Sequence, residues 1–274
     1  MMKIIGIGDS VVDIYQDRNE MFPGGNALNV AVLAKRNGAE AAGFIGIVGT
    51  DVEGDHILDS LSKNGVDSSL VRRAIGESGK AYVDLNEEGD RIFIKSNKGG
   101  VQSKLKLNLA VDDYEYIKTF DVVHTSIYSH LDDELPILKQ YLPVSYDFSN
   151  HFTNELLEKT CPHIQFAFIS GSDLTEAELG GLFNKIHGLG TPFIIITRGS
   201  KGVVMSHNNK RYIQGIEEAD VVDTLGAGDS FIAGFLTHQF KGFTIDESLQ
   251  AAAKIAARTC EVNGAFGFGK QLIC

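Results

Sequence analysis

The sequence contains few cysteines and prolines, the residues that form disulfides and stiff linkers between domains. Its 274 residues include three cysteines, five prolines and no tryptophan. Cys161, Cys260 and Cys274 are odd in number and lack CxxC spacing, which argues against a disulfide framework or a zinc knuckle. Five prolines are too few for a proline-rich linker. A single domain over residues 1–274 is therefore the simplest partition.

Positive charge and long apolar runs are also scarce. Lys and Arg number 25 against 36 Asp and Glu, so the net charge is −11. This balance disfavours nucleic acid and anionic membranes as partners, although backbone N–H groups and a metal can still hold a small anion. The apolar runs are far too short for a membrane span, and the first residues lack the apolar core of a signal peptide. We therefore expect a cytoplasmic protein.

Several common motifs are missing. The Gly-Lys pairs at 79–80 and 269–270 lack the spacing and hydroxyl residue of a P-loop, and neither HRD nor DFG occurs. The eight histidines show no HExxH pattern, so we expect no histidine metal site. Residues 6–11 follow half of a dinucleotide fingerprint, but Val11 takes the third glycine position. A strand that ends in a tight turn is the simpler interpretation.

Apolar periodicity predicts alternating strands and helices. We expect strands at residues 3–8, 43–48, 122–125, 144–148, 166–170 and 193–197, and a further hairpin at 202–206 and 211–214. Helices are expected at residues 26–36, 51–63, 112–118, 133–140, 175–187, 228–239 and 245–262. This order predicts a mostly parallel sheet that is covered on both faces.

The alternation breaks between residues 71 and 106. Strand-like segments at 80–85 and 91–95 flank the polar sequence EEGD at 87–90, which predicts a β-hairpin. We interpret approximately residues 75–104 as a lid inserted in the α/β body. Because the edge of a hairpin can pair with another chain, the lid is also a candidate homodimer interface.

The most specific motif is DTLGAGDSF at residues 223–231. Gly226, Ala227 and Gly228 precede an apolar helix, where backbone N–H groups and the helix dipole suit a phosphate. Asp229 in the first turn could simply cap this helix. A carboxylate beside an anion site would repel phosphate unless it had a chemical role, and accepting a proton from an attacking hydroxyl is such a role.

Two other glycine-rich segments follow or start predicted elements. In FPGGNALN, at residues 22–29, Gly24 and Gly25 would let a ligand approach the backbone, and Asn29 offers a donor and an acceptor to sugar hydroxyls. Asn26 would cap the helix there, a structural alternative that is compatible with binding. TRGSKG, at residues 197–202, follows a strand where ligand crevices form in parallel sheets, although alone it is an ordinary turn.

Together these segments resemble the ribokinase/PfkB family of carbohydrate kinases over essentially the whole chain. GDSVVD at residues 8–13 and GIVGTD at 46–51 also match. The resemblance implies a ribokinase-like, doubly wound, mostly parallel α/β sheet with a small β-hairpin lid. It also implies that ATP and Mg²⁺ serve transfer of the γ-phosphoryl group to a primary hydroxyl of a ketose-type sugar.

The resemblance assigns roles to individual residues. Asp229 would be the catalytic base, and the anion hole would be formed by Gly226, Ala227 and Gly228. Sugar hydroxyls would contact Asp9, Asp13, Gly24, Gly25 and Asn29. The nucleotide site would be lined by Thr197, Gly199, Gly202 and Gly264.

Two metal roles are also implied. The family often holds a monovalent cation at the DTxGAGD loop, which would place K⁺ at Asp223 and the backbone of Leu225. Mg²⁺ would be held by Asp173, directly or through water. Here the chain departs from the family's Asn-x-x-Glu stretch, because Ser170 and Asp173 stand at the Asn and Glu positions.

Residues 8–15, 23–32, 121–124 and 146–149, with the short lid, resemble fructoselysine 6-kinases more narrowly. Their substrates carry an amine, whose ammonium could be balanced by Asp9, Asp13 or Asp147. The alternative is that Asp9 and Asp147 are solvated loop carboxylates. Other functions left open are a kinase for ribose, fructose or 2-keto-3-deoxygluconate, a non-catalytic sugar or nucleotide sensor, and an NAD-dependent oxidoreductase.

Overall fold

The computed structural model describes residues 1–85 and 91–272, and of residues 84–85 and 91–93 only the backbone. These ranges contain strands β1 (Lys3–Gly8), β2 (Val11–Tyr15), β3 (Glu20–Gly24), β4 (Ala41–Gly49), β5 (Val66–Asp67), β6 (Arg72–Ala74), β7 (Gly79–Leu85), β8 (Arg91–Ser96), β9 (Val122–Ser126), β10 (Val144–Asp147), β11 (Phe166–Ser170), β12 (Phe193–Thr197), β13 (Val203–His207), β14 (Lys210–Gln214) and β15 (Lys270–Gln271). The α-helices are α1 (Asn26–Arg36), α2 (Val52–Lys63), α3 (Val101–Lys104), α4 (Val111–Ile117), α5 (Leu135–Leu138), α6 (Asn154–Thr160), α7 (Glu176–Gly188), α8 (Ala227–Phe240) and α9 (Ile245–Thr259).

The larger sheet has the order β14-β13-β12-β11-β10-β9-β1-β4-β5, and β6 pairs with β4. Its strands are parallel except where β13 pairs antiparallel with β12 and β14. After β1 the chain first adds β4 on one side of that strand. It later returns to add β9 on the other side of β1. The predicted doubly wound, mostly parallel sheet is confirmed, and its switch point lies between β1 and β9, where ligands bind in such sheets.

Helices cover both faces of this sheet. One apolar cluster joins α1, α2, α8 and α9 to one face. A second cluster joins α4, α5, α6 and α7 to the opposite face. Val122 packs into the first cluster and its neighbour Val123 into the second, as the alternation of side chains along β9 requires.

The lid is more extensive than a hairpin. A five-stranded sheet of order β15-β3-β2-β7-β8 contains the expected pair β7 and β8 together with two strands from residues 11–24. The strand β2 is buried along most of its length, so its sequence lacks the polar alternation that marks a lid strand. The expected EEGD turn at residues 87–90 lies outside the described residues.

One helix is much shorter than its apolar pattern predicts. The segment expected at residues 133–140 is helical only over α5, which has Pro136 in its first turn. Proline fits the first turn of a helix but cannot donate within its interior, so α5 cannot extend far toward the N-terminus. The other expected helices are present with shifts of one to a few residues at their ends.

Gly6 and Gly8 serve close backbone packing. A Cβ atom on Gly6 would overlap the carbonyl oxygen of Ala27, and one on Gly8 would overlap the side chain of Ser129. The glycines that suggested a dinucleotide fingerprint therefore bring α1 and the turn after β9 close to β1. Among the helices of the described residues, none is long and apolar enough to cross a membrane.

We predict that Gly6→Ala destabilises the protein by about 1–3 kcal/mol, because the added methyl must push α1 away from β1. Chemical denaturation measures this loss. Gly181→Ala is the matched control, since a Cβ there meets nothing within 4 Å and the residue lies inside α7. The control should gain about 0.5–1 kcal/mol. Equal stabilities for the two variants would refute this explanation of Gly6.

Candidate active site

The loop before α8 has the geometry expected for an anion site. Gly226 precedes the helix in a left-handed conformation with φ of 76°, and a Cβ atom there would overlap Ala265. Gly228 is exposed, with nothing within 4 Å of an added Cβ. The first N–H groups of a helix lack intrahelical acceptors, so the start of α8 offers donors at an open surface.

Asp229 lies in the first turn of α8 and is held by two asparagines from α1. Asn26 Nδ2 donates to its Oδ1 at 2.7 Å, and Asn29 Nδ2 donates to its Oδ2 at 2.7 Å. The N-termini of α1 and α8 therefore meet at the edge of the sheet where the parallel strands end. Asn29 is buried, and its Oδ1 has no hydrogen-bond partner among the described residues.

The predicted role of Asn26 as the helix cap is wrong. Gly25 is the N-cap residue, and Asn26 is the first residue of α1. The capping acceptor instead comes from Asp9, whose carboxylate accepts from the backbone N–H of Asn26 at 2.5 Å and of Ala27 at 3.3 Å. The Asn26 side chain is thus available for Asp229.

Asp9 is a buried carboxylate with several protein donors, so its description as a solvated loop residue is wrong. Besides α1, its Oδ1 accepts from the hydroxyls of Ser126 at 2.9 Å and Ser129 at 2.8 Å. These contacts fasten the ends of β1 and β9 to the start of α1. Asp9 lies at the predicted site, where its hydrogen bonds position other residues.

Asp147, at the end of β10, is partly buried. Its Oδ2 accepts from Asn26 Nδ2 at 2.9 Å, and its Oδ1 accepts from the backbone N–H of Ser149 at 2.9 Å. Burial, with the negative charges of Asp229 and Asp9, raises the pKa of Asp147 from 3.8 to about 7. Within the described part of the chain, no lysine or arginine forms an ion pair with Asp147.

His124 and Ser145 lie behind Asn26 on adjacent strands. His124 Nε2 is 2.8 Å from Asn26 Oδ1, and its Nδ1 is 2.9 Å from Ser145 Oγ. His124 is fully buried, and burial lowers its pKa to about 3. The imidazole is therefore neutral at any working pH.

The sugar-side residues named from the sequence lie together around the start of α1. Asp13 is buried in β2, and a Cβ on Gly24 would overlap its Oδ2, so glycine is what allows β3 and Asp13 to approach. Gly25 has φ of 105° and lies against the backbone of Asp9 and Ser10. Residues of the lid sheet and of the start of α1 therefore lie next to each other.

Asp223 connects the anion loop to the lid. Its Oδ1 accepts from Leu225 N at 2.9 Å, its Oδ2 accepts from Gly264 N at 2.9 Å, and the Tyr15 hydroxyl also donates to it. Gly264 has φ of 70° and packs on Phe22. These contacts fix the loop; the assignments of Asp223 to a cation and of Gly264 to a nucleotide stay predictions.

The remaining predicted residues lie at the ends of β11 and β12. Gly199 is open, with φ of 56°, whereas a Cβ on Gly202 would overlap the carbonyl oxygen of Gln214. Thr197 Oγ1 donates to Ile169 O at 3.4 Å. Asp173 is exposed beside Ser172, whose hydroxyl is 3.2 Å from its Oδ1. Gly202 therefore serves the β12–β13 turn, while Gly199 and Asp173 are accessible.

Sequence reasoning missed the role of Asn26 and the whole contribution of His124 and Ser145. An isolated histidine carries no signal of its own in a sequence. The only usable clue was that Asn26 falls three residues before Asn29, since residues at this spacing share a helix face.

Comparisons with known proteins agree with this fold and identify the family. The family model described as "pfkB family carbohydrate kinase" matches residues 1–267. The chain is 50% identical to fructosamine kinase FrlD of Bacillus subtilis (strain 168), over 98% of this chain and 94% of that protein. It is 34% identical to fructoselysine 6-kinase of Escherichia coli (strain K12), over 97% of this chain and 100% of that protein.

A solved structure supports the fold independently. Arabidopsis thaliana ribokinase complexed with ribose and ATP superposes with a TM-score of 0.81 at 22% identity, covering 97% of this chain and 94% of that one. The fold and the carboxylate-bearing helix start define a ribokinase-like sugar kinase. The chain belongs to the pfkB family of carbohydrate kinases.

We predict that Asp147→Asn stabilises the protein at about pH 8 by a few degrees in melting temperature, and that this gain vanishes by about pH 4. The pKa of Asp147 is raised in the folded state, so between these pH values the folded protein binds a proton that the unfolded chain has released. The stability that the Asp147 carboxyl contributes therefore falls as pH rises toward its folded-state pKa. Asparagine cannot ionise, so the Asp147→Asn variant does not lose this stability. Thermal unfolding across this pH range measures the effect.

Asp133→Asn is the control, because Lys159 and Lys106 lower the pKa of the exposed Asp133. Its pH dependence should have the opposite sign: a small loss near neutrality that disappears in acid. A gain for Asp147→Asn that does not depend on pH would contradict the assigned protonation.

Proposed function

We propose that this sugar kinase transfers the γ-phosphoryl group of ATP to the 6-hydroxyl of a fructosamine such as fructoselysine. Asp229, held by two asparagine amides at the start of α8, is the observation that carries the proposal. A fixed carboxylate beside helix N–H donors supplies the base and the anion site that phosphoryl transfer needs. The fructosamine and fructoselysine kinases among the relatives support the substrate class.

In the proposed reaction, Asp229 accepts the proton of the 6-hydroxyl while the oxygen attacks the γ-phosphorus. The bond from phosphorus to the β–γ bridging oxygen breaks, and ADP leaves with that oxygen. The N–H groups of Gly226, Ala227 and Gly228 would stabilise charge on the transferred group. Asp13 and Asn29 would hold sugar hydroxyls, and the orphaned Oδ1 of Asn29 would accept from one of them.

The residues present fit a magnesium ion that is held largely by substrate. Mg²⁺ usually takes one or two carboxylates together with phosphate oxygens and water, and Asp173 is exposed at the end of β11 for this purpose. The ion would neutralise charge between the phosphates. Among the described residues no group of three His, Cys, Asp or Glu side chains forms a site by itself. K⁺ at Asp223, dimerisation through the lid and a cytoplasmic location remain predictions.

The electrostatics of the site favour an amine-bearing sugar. Asp229 and Asp9 both raise the pKa of Asp147, which means that the negative potential of each reaches this carboxyl group. A protonated amine in the site would be attracted by the same potential, and desolvation would strengthen that attraction. A neutral ketose carries no positive charge, so this potential would not increase its affinity.

A cavity of about 370 Å³ beside Asp9 would accommodate the group attached to that amine. Its walls include Gly8 and Ser129, which flank Asp9, and also Gln102, Lys104 and Lys106. Gln102 Oε1 accepts from Ser10 N at 3.0 Å, so the cavity borders the loop between β1 and β2. Lys104 would suit the carboxylate of an amino acid, whereas Lys106 is paired with Asp133 Oδ2 at 3.2 Å.

We predict that Asp229→Asn lowers kcat by about 10²–10⁴-fold, because the hydroxyl loses its proton acceptor. ATP affinity should change little, and a coupled ADP-release assay with ATP titration separates the two quantities. Asp246→Asn makes the same chemical change in the first turn of α9 and should leave kcat unaltered. Wild-type turnover in Asp229→Asn would remove Asp229 as the base.

We also predict that kcat/KM for fructosamine exceeds that for fructose by at least about tenfold, since 1.4 kcal/mol of attraction gives a factor of ten. N-acetylated fructosamine is the matched control, because its nitrogen carries no charge. It should behave like fructose. Equal rates for all three sugars would point to a different substrate, and no ATP turnover with any sugar would favour the sensor alternative.

A further inference from the structure

We propose that Asn26 and His124 are positioning residues that hold the Asp229 carboxylate in place for proton abstraction. The inference rests on the proposed function, because it takes Asp229 as the base. Neither side chain belongs to the predicted set of site residues. The geometry links them in one hydrogen-bonded chain that runs from the central strands of the sheet to the start of α8.

The contacts of Asn26 determine which way its amide faces. Its Nδ2 lies 2.7 Å from Asp229 Oδ1 and 2.9 Å from Asp147 Oδ2. Asp229, as the proposed base, is ionised and can only accept, so the NH₂ group faces it and gives one N–H to each of the two carboxyl groups. The carbonyl oxygen of the amide therefore points the other way, toward His124 Nε2 at 2.8 Å.

The position of the His124 proton follows from the same contacts. The ring is neutral, so only one nitrogen carries a proton, and Asn26 Oδ1 can only accept. Nε2 is therefore the donor to Asn26, and Nδ1 accepts from the Ser145 hydroxyl at 2.9 Å. Because Ser145 and His124 are paired across β10 and β9, the donor is anchored in the interior of the sheet.

This series of hydrogen bonds holds the Asn26 amide in one orientation. If the Asn26 amide rotated by half a turn, its oxygen would face two carboxylates and its NH₂ group would face the N–H of His124. The amide oxygen would then face the Asp229 carboxylate with no donor between them, and the Nε2–H of His124 would lose its acceptor. Without the Asn26 donor, Asp229 Oδ1 would lose this hydrogen bond and only Asn29 would hold the carboxylate, through Oδ2.

The decisive comparison is His124→Leu against His124→Gln. Leucine removes the donor, so kcat should fall by about 10–100-fold, the scale expected for a misplaced catalytic group. The KM for sugar should change much less. Glutamine presents an amide N–H near the position of Nε2, so His124→Gln should keep most of the wild-type kcat. Melting temperatures of both variants are measured alongside.

Two further variants complete the test. Asn26→Ala should lower kcat in the wild-type background but add little in the Asp229→Asn background, because it acts through Asp229. His187→Leu is the off-site control. That histidine bridges Thr191 O at 2.9 Å and Ser206 Oγ at 2.8 Å, and its loss should leave kcat unchanged.

The outcomes separate this inference from the proposed function. If His124→Leu and Asn26→Ala keep wild-type kcat while Asp229→Asn loses it, the positioning role is overturned and the base remains. If His124→Gln is as impaired as His124→Leu at equal stability, the donor is not what matters, and the positioning role is again overturned. If Asp229→Asn itself keeps its kcat, both proposals fall.

Discussion

The site depends on one amide that holds two partly buried carboxyl groups close together. Asp147 and Asp229 come from different elements, β10 and α8, and both accept from the single side-chain nitrogen of Asn26. Repulsion between the two groups is one cause of the raised pKa of Asp147, because the negative charge of Asp229 disfavours its ionisation. The amide offsets that repulsion only if α1 begins at one particular place on the sheet edge.

Several features of the fold place the start of α1 there. Gly6 lets the helix approach β1, and Asp9 accepts the first N–H groups of the helix while holding the hydroxyls of Ser126 and Ser129. On the other side, α8 packs beside α1 in the same apolar cluster. The Asp229 carboxylate is therefore positioned by the packing of two helices on the switch point of the sheet, and a shift of one residue in either helix would separate the groups.

Charge is distributed unevenly around this point. The start of α8 presents backbone donors at an open surface, whereas the side toward β1 and β10 carries the carboxylates of Asp9 and Asp147. A phosphate and a cationic sugar would therefore be drawn to opposite sides of Asp229. The proposed anion site would reconcile the net charge of −11 with a nucleotide substrate, because it would use helix N–H groups and a metal.

Much of the fold and part of the site follow from the sequence. Apolar periodicity and the Asn-Gly stops after α1 and α2 locate the layers, and DTLGAGD locates the start of α8 with Asp229, the proposed base, because both signals are local. The Asn26 bridge joins residues from opposite ends of the chain, and a histidine within a strand looks like any core residue until its strand neighbours are known. The lid strands β2 and β3 were missed for a related reason, since burial on both sides removes the alternation that identifies a strand.

We propose that the chain phosphorylates the 6-hydroxyl of a fructosamine with ATP, and a ³¹P–¹H correlation spectrum of the product formed from fructoselysine, ATP and Mg²⁺ tests this directly. We expect a phosphorus signal coupled to the two protons on C6, in an amount equal to the ADP released. Phosphorus coupled to any other sugar position, or ADP without a phosphorylated sugar, would contradict it.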